Sequence, residues 1–147
     1  MAKKAKPSKK RIKYVPQLGD VVAIKIRPGK FVHAKVAFVS VDYKGLALFR
    51  VYDSVRPSAA EFECLSTYRC QFRAYADKIE SSHWKVVGHY PSKVGDKKAS
   101  RYITAEGLYE GDARIRDVRD SDFDTLMPMS ICMNSAAEHE LRKKFGV

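Results

Sequence analysis

The chain has 147 residues and a formal net charge of +11, with 45% apolar and 31% charged residues. These values describe a globular chain of one-domain length and argue against a disordered protein. No apolar run approaches the ~20 residues of a membrane-spanning helix, and the charged N-terminus lacks the apolar segment of a secretory signal, so we predict a cytoplasmic protein with no membrane partner.

The first 13 residues form a basic arm, which carries no acid and seven cations: Lys3, Lys4, Lys6, Lys9, Lys10, Arg11 and Lys13. Without it, 21 basic residues stand against 17 acidic ones, so residues 14–147 have a net charge of only +4. A segment rich in Lys, Ala, Pro and Ser cannot bury apolar surface, which predicts a mobile arm. Such an arm either solubilises the chain or binds the phosphates of nucleic acid without sequence preference.

Three strands joined by short turns are predicted after the arm. The segment "VVAIKI" (21–26) alternates apolar residues, and "RPGK" (27–30) is a reverse turn. The segments "FVHAKVAFVSV" (31–41) and "LALFRVYD" (46–53) follow, separated by the turn "DYKG" (42–45). In the second strand, one face is predicted to hold Val32, Ala34, Val36 and Phe38, and the other Phe31, His33 and Lys35. Consecutive strands with short connections indicate a meander.

A fourth strand, "YRCQFRAYA" (68–76), alternates apolar and polar residues. Its apolar face is predicted to hold Tyr68, Cys70, Phe72 and Ala74. Its solvent-exposed face is predicted to hold Arg69, Gln71, Arg73 and Tyr75. Arginine next to aromatic residues on an open sheet is typical of single-stranded nucleic-acid binding and of protein-interface hot spots. It also fits an ordinary solvated face. The candidate partner-binding residues of this surface are Arg50, Tyr52, Arg69, Arg73 and Tyr75.

The rest of the chain predicts short elements and one helix. The segment "DKIESS" reads as a helical turn, "HWKVVG" as a strand, and "PSKVGDKKAS" (91–100) as a polar, Lys-rich loop. Residues 101–104 should open a hairpin, and the apolar run "TLMPMSICM" should supply a last strand. The segment "SAAEHELRKKF" (135–145) begins with a capping-box pattern and predicts a helix with an apolar stripe at Ala137, Leu141 and Phe145.

These elements predict a mainly β domain over residues 14–147, either a curled antiparallel sheet or a small SH3-like barrel, with one C-terminal helix. Phosphate-loop and zinc-ligand spacings are missing, so we predict no cofactor, no metal site and no catalytic residue. Cys64, Cys70 and Cys132 are predicted to be reduced thiols. The acids Asp117, Asp120, Asp122 and Asp124 are predicted to be solvated loop charges, and the first three are also candidate partner-binding residues.

The series of segments resembles immunity protein family 26 of bacterial polymorphic toxin systems. The stretch "HWKVVGHYP" is similar to that family's "RWKVIG" segment, and "YVPQLGDVVAIKIRPGKFVHAKVAFV" is similar to its opening, a Gly-Asp followed by two strands around a "GK" turn. "LALFRVYDS", "YRCQFRAYADKIESSHWKVVG", "RYITAEGLYEGDARIRD" and "SAAEHELRKKF" resemble its later segments in order. The resemblance covers about residues 14–145, without the basic arm.

This resemblance implies a non-enzymatic protein that binds a toxin and blocks it by occlusion, with no small-molecule substrate. It does not identify the binding surface, and it leaves Gly19, Asp20 and Trp84 best explained as structural residues. Because the chain is basic, we expect the toxin either to offer an acidic or neutral surface, or to bind the acidic segment "DVRDSDFD" (117–124). The alternative function is a nucleic-acid-binding small β-barrel with a basic arm. A small-barrel endoribonuclease is a third possibility, but the chain lacks a convincing acid–base set.

Overall fold

The computed structural model describes residues 16–60, 67–75, 84–91, 94–126 and 134–147. One antiparallel sheet, in the order β4-β3-β2-β1-β5, is formed by β1 (Asp20–Arg27), β2 (Lys30–Val39), β3 (Leu46–Arg56), β4 (Tyr68–Tyr75) and β5 (Trp84–His89). A second antiparallel sheet is formed by β6 (Arg101–Thr104), β7 (Gly107–Glu110) and β8 (Ala113–Arg116). The helices are α1 (Val94–Ala99), α2 (Asp122–Thr125) and α3 (Asn134–Phe145).

The mainly β prediction with a C-terminal helix is confirmed. Of the two predicted architectures the open sheet is the one formed, because β4 and β5 lie at opposite edges and do not pair with each other in the described ranges. The expected hairpin after residue 100 is present as β6 and β7, and β8 extends it. The predicted polar loop 91–100 instead contains α1, whose Asp96 is buried.

The main hydrophobic core lies between one face of the five-stranded sheet and α3. Alternate residues of the strands enter it, including Val22, Ile24, Ile26, Val32, Ala34, Val36, Phe49 and Val51. The predicted stripe of α3 covers them, with Ala137 and Leu141 buried and Phe145 packed at the margin. Period-two alternation in the strands and a helical stripe in α3 therefore bury the same core.

Trp84 belongs to this core and is only 2% exposed. Its ring makes edge-on contacts with Phe49 and Phe72, at centroid distances of 5.5 and 5.6 Å. The indole Nε1 donates a hydrogen bond to Glu138 Oε1 at 2.9 Å, which joins β5 to α3. The single tryptophan of the chain is a packing residue with a satisfied polar atom.

The opposite face of the sheet is covered as well, by α1 and the three-stranded sheet. Leu46 and Leu48 of β3 are buried on this side, as are Tyr102 and Leu108 of the second sheet. Asp112 connects the second sheet to the β2–β3 turn. Its carboxylate accepts hydrogen bonds from the Ser40 hydroxyl and from the backbone of that turn. Much of the sheet face that was predicted to be exposed to solvent is therefore buried inside the protein.

Two face assignments are wrong because of irregularities in the strand pairing. A register shift between Val36 and Phe38 moves Phe38 to the second face, where its ring packs against Gly111. A shift opposite Tyr52 likewise moves Tyr68 away from the main core, and the two tyrosine rings stack at 5.0 Å. A bulge adds one residue to a strand and so reverses the side on which the following residue lies.

Gly19 and Asp20 hold the chain at the start of β1. Gly19 has a φ of +88°, and a Cβ there would lie 2.5 Å from the carbonyl oxygen of Tyr90, so only glycine fits. The Asp20 carboxylate accepts a hydrogen bond from the backbone N–H of Gln17 at 2.8 Å and lies 3.0 Å from His89 Nδ1. Their contacts are those of structural residues.

Several predictions fall outside the described residues. These are the basic arm with its seven cations, the turn "DKIESS", most of the run "TLMPMSICM", and the side chains of Cys64, His83 and Cys132.

Acidification should destabilise the fold through His33, which is buried and donates from Nε2 to the carbonyl of Ala59 at 2.7 Å. Burial lowers the pKa of His33 and outweighs the hydrogen bond to Ala59, which raises it. Below about pH 6.5 the unfolded chain therefore binds more protons at this site, and the free energy of unfolding falls. Urea unfolding at about pH 7 and about pH 5 should show a larger loss for the wild type than for His33→Gln. An equal loss would contradict the assignment.

Candidate partner-binding surfaces

A buried ionic cluster joins the five-stranded sheet to α1. Lys35 Nζ lies 2.7 Å from Asp96 Oδ2 and donates a second hydrogen bond to the Pro91 carbonyl at 2.8 Å. Arg50 Nη1 binds the other carboxylate oxygen of Asp96 at 2.8 Å, and its guanidinium lies 3.8 Å from the ring centroid of Tyr68. Lys35 and Asp96 are 2% and 1% exposed. Charges this deep in the protein persist only because they neutralise one another.

This cluster corrects the prediction for one candidate surface. Arg50 is engaged with Asp96, and Tyr52 is only 2% exposed. Arg73 donates to the Ser100 carbonyl at 3.1 Å and lies over the ring of Tyr102, and burial lowers its pKa. Arg50 and Arg73 are covered by the segment around α1 and β6, and Tyr52 is buried beside Tyr68, so the three side chains do not form an open binding surface.

The remaining two residues of that candidate surface lie elsewhere. Arg69 is half exposed, forms an ion pair with Asp53 at 2.8 Å, and lies near the ring of Phe145 at the end of α3. It therefore points to the helix side of the sheet, away from Arg73. Tyr75 is partly exposed at the end of β4, paired with Leu46. The structure does not bring the five predicted residues together.

The acidic segment contains a second correction. Asp122 is buried, and its two carboxylate oxygens accept a bidentate pair of hydrogen bonds from Arg116, both 2.7 Å long. The backbone N–H of Arg119 donates a third, also at 2.7 Å. The hydrogen bonds from Arg116, followed by that from Arg119, lower the pKa of Asp122 to about 2. Asp122 is therefore an internal anchor and not the solvated charge that was predicted.

The other acids of the segment, Asp117, Asp120 and Asp124, are exposed, and apolar side chains that are also exposed lie close to them in sequence. Phe123 is 67% exposed and follows Asp122 directly, and Ile115 is 47% exposed and precedes Arg116. We call this surface the acidic–aromatic corner and define it by Ile115, Asp117, Asp120, Phe123 and Asp124. Asp117 forms an ion pair with Arg114 and is otherwise open to solvent. An exposed aromatic ring with a carboxylate rim is suited to a partner that combines an apolar pocket with basic residues.

The Arg116–Asp122 pair gives this corner a fixed shape. It connects β8 to the first turn of α2 and so fixes the position of that turn, which carries the exposed Phe123, relative to the second sheet. A preorganised surface loses less conformational entropy on binding than a mobile loop does. Sequence reasoning identified the acids but missed Phe123, although one aromatic residue inside the charged run "DSDFDT" was the available signal.

A groove lies between the edge strand β4 and α3. Its walls include Cys70, Phe72, Ala137 and Leu141, with the charged side chains of Glu140 and Lys144 beside them. Burial raises the pKa of the Cys70 thiol, so this cysteine behaves as an apolar wall residue and not as a nucleophile.

No group of three or more His, Cys, Asp or Glu side chains within the described ranges is placed to bind a metal ion. None of the helices described above is long and apolar enough to span a bilayer.

Comparison with known proteins assigns no relative: no family model matches the chain, and no curated protein or solved structure is significantly similar to it. The resemblance to immunity protein family 26 therefore stays a prediction made from the residues.

Proposed function

We propose that this chain is a non-enzymatic, cytoplasmic immunity protein that binds a bacterial toxin and neutralises it by occlusion. The proposal combines the ordered resemblance along the chain with the surface that the structure presents. The observation that carries it is Phe123, which stands exposed on a clamped helical turn. Aromatic side chains presented on rigid elements are characteristic anchors of protein interfaces.

The charge around Phe123 favours a basic partner surface. Asp120 and Asp124 flank the ring in sequence and are exposed, while Asp122 is neutralised within the fold by Arg116. Inhibitors of nucleases often present acids to the enzyme's basic cleft, because complementary charge speeds the encounter. The corner supplies a local negative patch on a chain whose overall charge is positive.

Replacing Phe123 by alanine should weaken toxin binding by roughly tenfold to a hundredfold, because a central aromatic anchor contributes about 2 kcal/mol or more to an interface. The free energy of unfolding should change by less than about 0.5 kcal/mol, since the side chain is exposed in the free protein. The measurement is growth rescue of cells that express the candidate toxin taken from the neighbouring reading frame, followed by the dissociation rate of the purified pair.

Val41→Ala is the matched control, because Val41 is an exposed apolar residue outside the corner. It should rescue growth as the wild type does. Rescue that survives both Phe123→Ala and the joint reversal of Asp117, Asp120 and Asp124 to lysine would exclude the corner as the binding surface. Failure of the wild type to rescue growth would refute the immunity function itself.

Nucleic-acid binding through the basic arm is the alternative function, and it makes a different prediction. Affinity for DNA or RNA should then fall steeply between low and physiological salt. Under this alternative, replacing the seven cations of the arm by glutamine should remove most of that affinity, and the wild type should not rescue growth from the toxin. The arm lies outside the described residues, so this alternative rests on the sequence alone.

A further inference from the structure

Several chain segments meet where the strands of the five-stranded sheet end on one side. Because neighbouring strands are antiparallel, the ends of β1 and β3 meet the beginnings of β2, β4 and β5 there. We call this end of the sheet the hairpin end, after the β1–β2 turn at Pro28 and Gly29, which lies there.

The hairpin end is rich in cations that are distant in sequence. Lys25 and Arg27 end β1, Lys30 opens β2, Arg56 ends β3 and Lys85 lies at the beginning of β5. Arg27 and Lys30 are direct cross-strand partners. Side chains of directly paired residues have Cβ atoms only about 5 Å apart, so these positive charges reinforce one another.

Four of these five cations, all except Arg56, have no counter-charge among the residues that the structure describes. Lys25, Arg27, Lys30 and Lys85 are exposed, and none of them forms an ion pair with a residue that the structure describes. This distinguishes them from Arg69, whose charge is balanced by Asp53. Clustered cations without internal partners produce a positive potential that attracts an external anion.

An aromatic residue lies within the cluster. Phe31 pairs with Lys25 on one side and with Arg56 on the other, so the three side chains form a row across β1, β2 and β3 on one face of the sheet. Lys85 shares that face, because it pairs with Ala23, two residues before Lys25. Phe31 is partly exposed. A ring between two cations matches the way in which sheets hold a base and its flanking phosphates.

We propose that the hairpin end is a binding site for single-stranded nucleic acid, separate from the basic arm and from the acidic–aromatic corner. Lys25 and Lys85, on the face of Phe31, together with Arg27 and Lys30 beside the turn, bind backbone phosphates, and Phe31 stacks on a base. Stacking requires an unpaired base with an open face, so the row favours a single strand over a duplex. The aromatic ring also favours nucleic acid over an acidic polypeptide, which offers charge without a base to stack.

The test uses the full chain and a fluorescent oligothymidylate of about 20 nucleotides, longer than a typical single-domain site. The variant Lys25→Gln/Lys30→Gln is compared with Lys44→Gln/Lys98→Gln, which removes two exposed lysines elsewhere and gives the same net charge. The hairpin-end variant should bind about tenfold more weakly at low salt, and the slope of log affinity against log salt should become shallower by about 1 to 1.5. The control should bind nearly as the wild type does.

The variant Phe31→Leu tests the stacking contact. It should weaken binding about tenfold without changing the salt slope, because it removes a base contact and no charge. Far-ultraviolet circular dichroism and thermal unfolding confirm that each variant is folded. A duplex of the same length and polyglutamate should compete poorly.

Three results would overturn the proposal. The first is an absence of binding by the wild type at about 50 mM salt, where phosphate contacts are strong. The second is an equal loss of affinity in the two lysine variants, which would assign the binding to overall charge or to the arm. The third is competition by polyglutamate or the duplex as effective as that by the single strand. None of them bears on toxin rescue, which is measured separately.

Discussion

Replacing Asp96 by alanine should lower the free energy of unfolding by about 3 to 5 kcal/mol, which is a large part of the stability of a typical domain. The ammonium group of Lys35 is almost fully buried and would keep only the Pro91 carbonyl among the partners described above. Arg50 would lose its carboxylate partner as well. A buried charge without a counter-charge is among the most destabilising features a protein can contain. Urea unfolding followed by circular dichroism measures the change.

The double variant Lys35→Met/Asp96→Leu separates lost charge pairing from lost packing. It should recover part of the stability, because replacing a buried ion pair with apolar residues of similar size is often neutral, whereas Arg50 stays without its carboxylate partner. Asp53→Asn is the control, since it breaks the half-exposed ion pair with Arg69 and should cost less than about 1 kcal/mol. If Asp96→Ala were as mild as this control, the buried cluster would not hold α1 against the sheet.

Replacing Trp84 by alanine should cost about 3 to 5 kcal/mol, because it opens a large cavity at the junction of β5, the sheet and α3. The ring contacts with Phe49 and Phe72 would be lost, and Glu138 would lose its indole donor. Since Trp84 is the only tryptophan of the chain, unfolding must be followed by far-ultraviolet circular dichroism and not by tryptophan fluorescence.

A second substitution at position 84 shows which part of the indole matters, and a surface variant serves as the control. Trp84→Phe keeps an aromatic ring beside Phe49 and should lose clearly less stability than Trp84→Ala. Val41→Ala, at an exposed turn position, should change stability by less than about 0.5 kcal/mol. A Trp84→Ala variant as stable as the Val41 control would contradict the assignment of Trp84 to the core.

Most strands could be predicted because their alternation is local. Val22, Ile24 and Ile26 follow the period of a half-buried strand, and all three enter the core. The assignments failed at Phe38 and Tyr68, where register shifts reverse the face. A bulge is decided by how two strands align across the sheet, and neither strand by itself contains that information.

The candidate binding residues were predicted less well because polar residues have no such periodicity. The sequence shows Asp96 as one acid among lysines, and Asp122 as one acid among several. Only the structure shows that the first neutralises Lys35 and that the second is held by Arg116. The first pair is separated by 61 positions along the chain and the second by 6. The partners of both pairs come into contact only when the chain folds.

The amino-acid sequence by itself determined the mainly β class, the apolar stripe of α3 and the core position of Trp84, because each follows from side-chain periodicity and hydrophobicity. The tertiary structure alone decided which charges are exposed. It buried Asp122, left Phe123 exposed to solvent, and brought Lys30 and Arg56 together at the hairpin end of the sheet. Burial and charge pairing depend on contacts between distant segments, and those contacts exist only once the layers have packed.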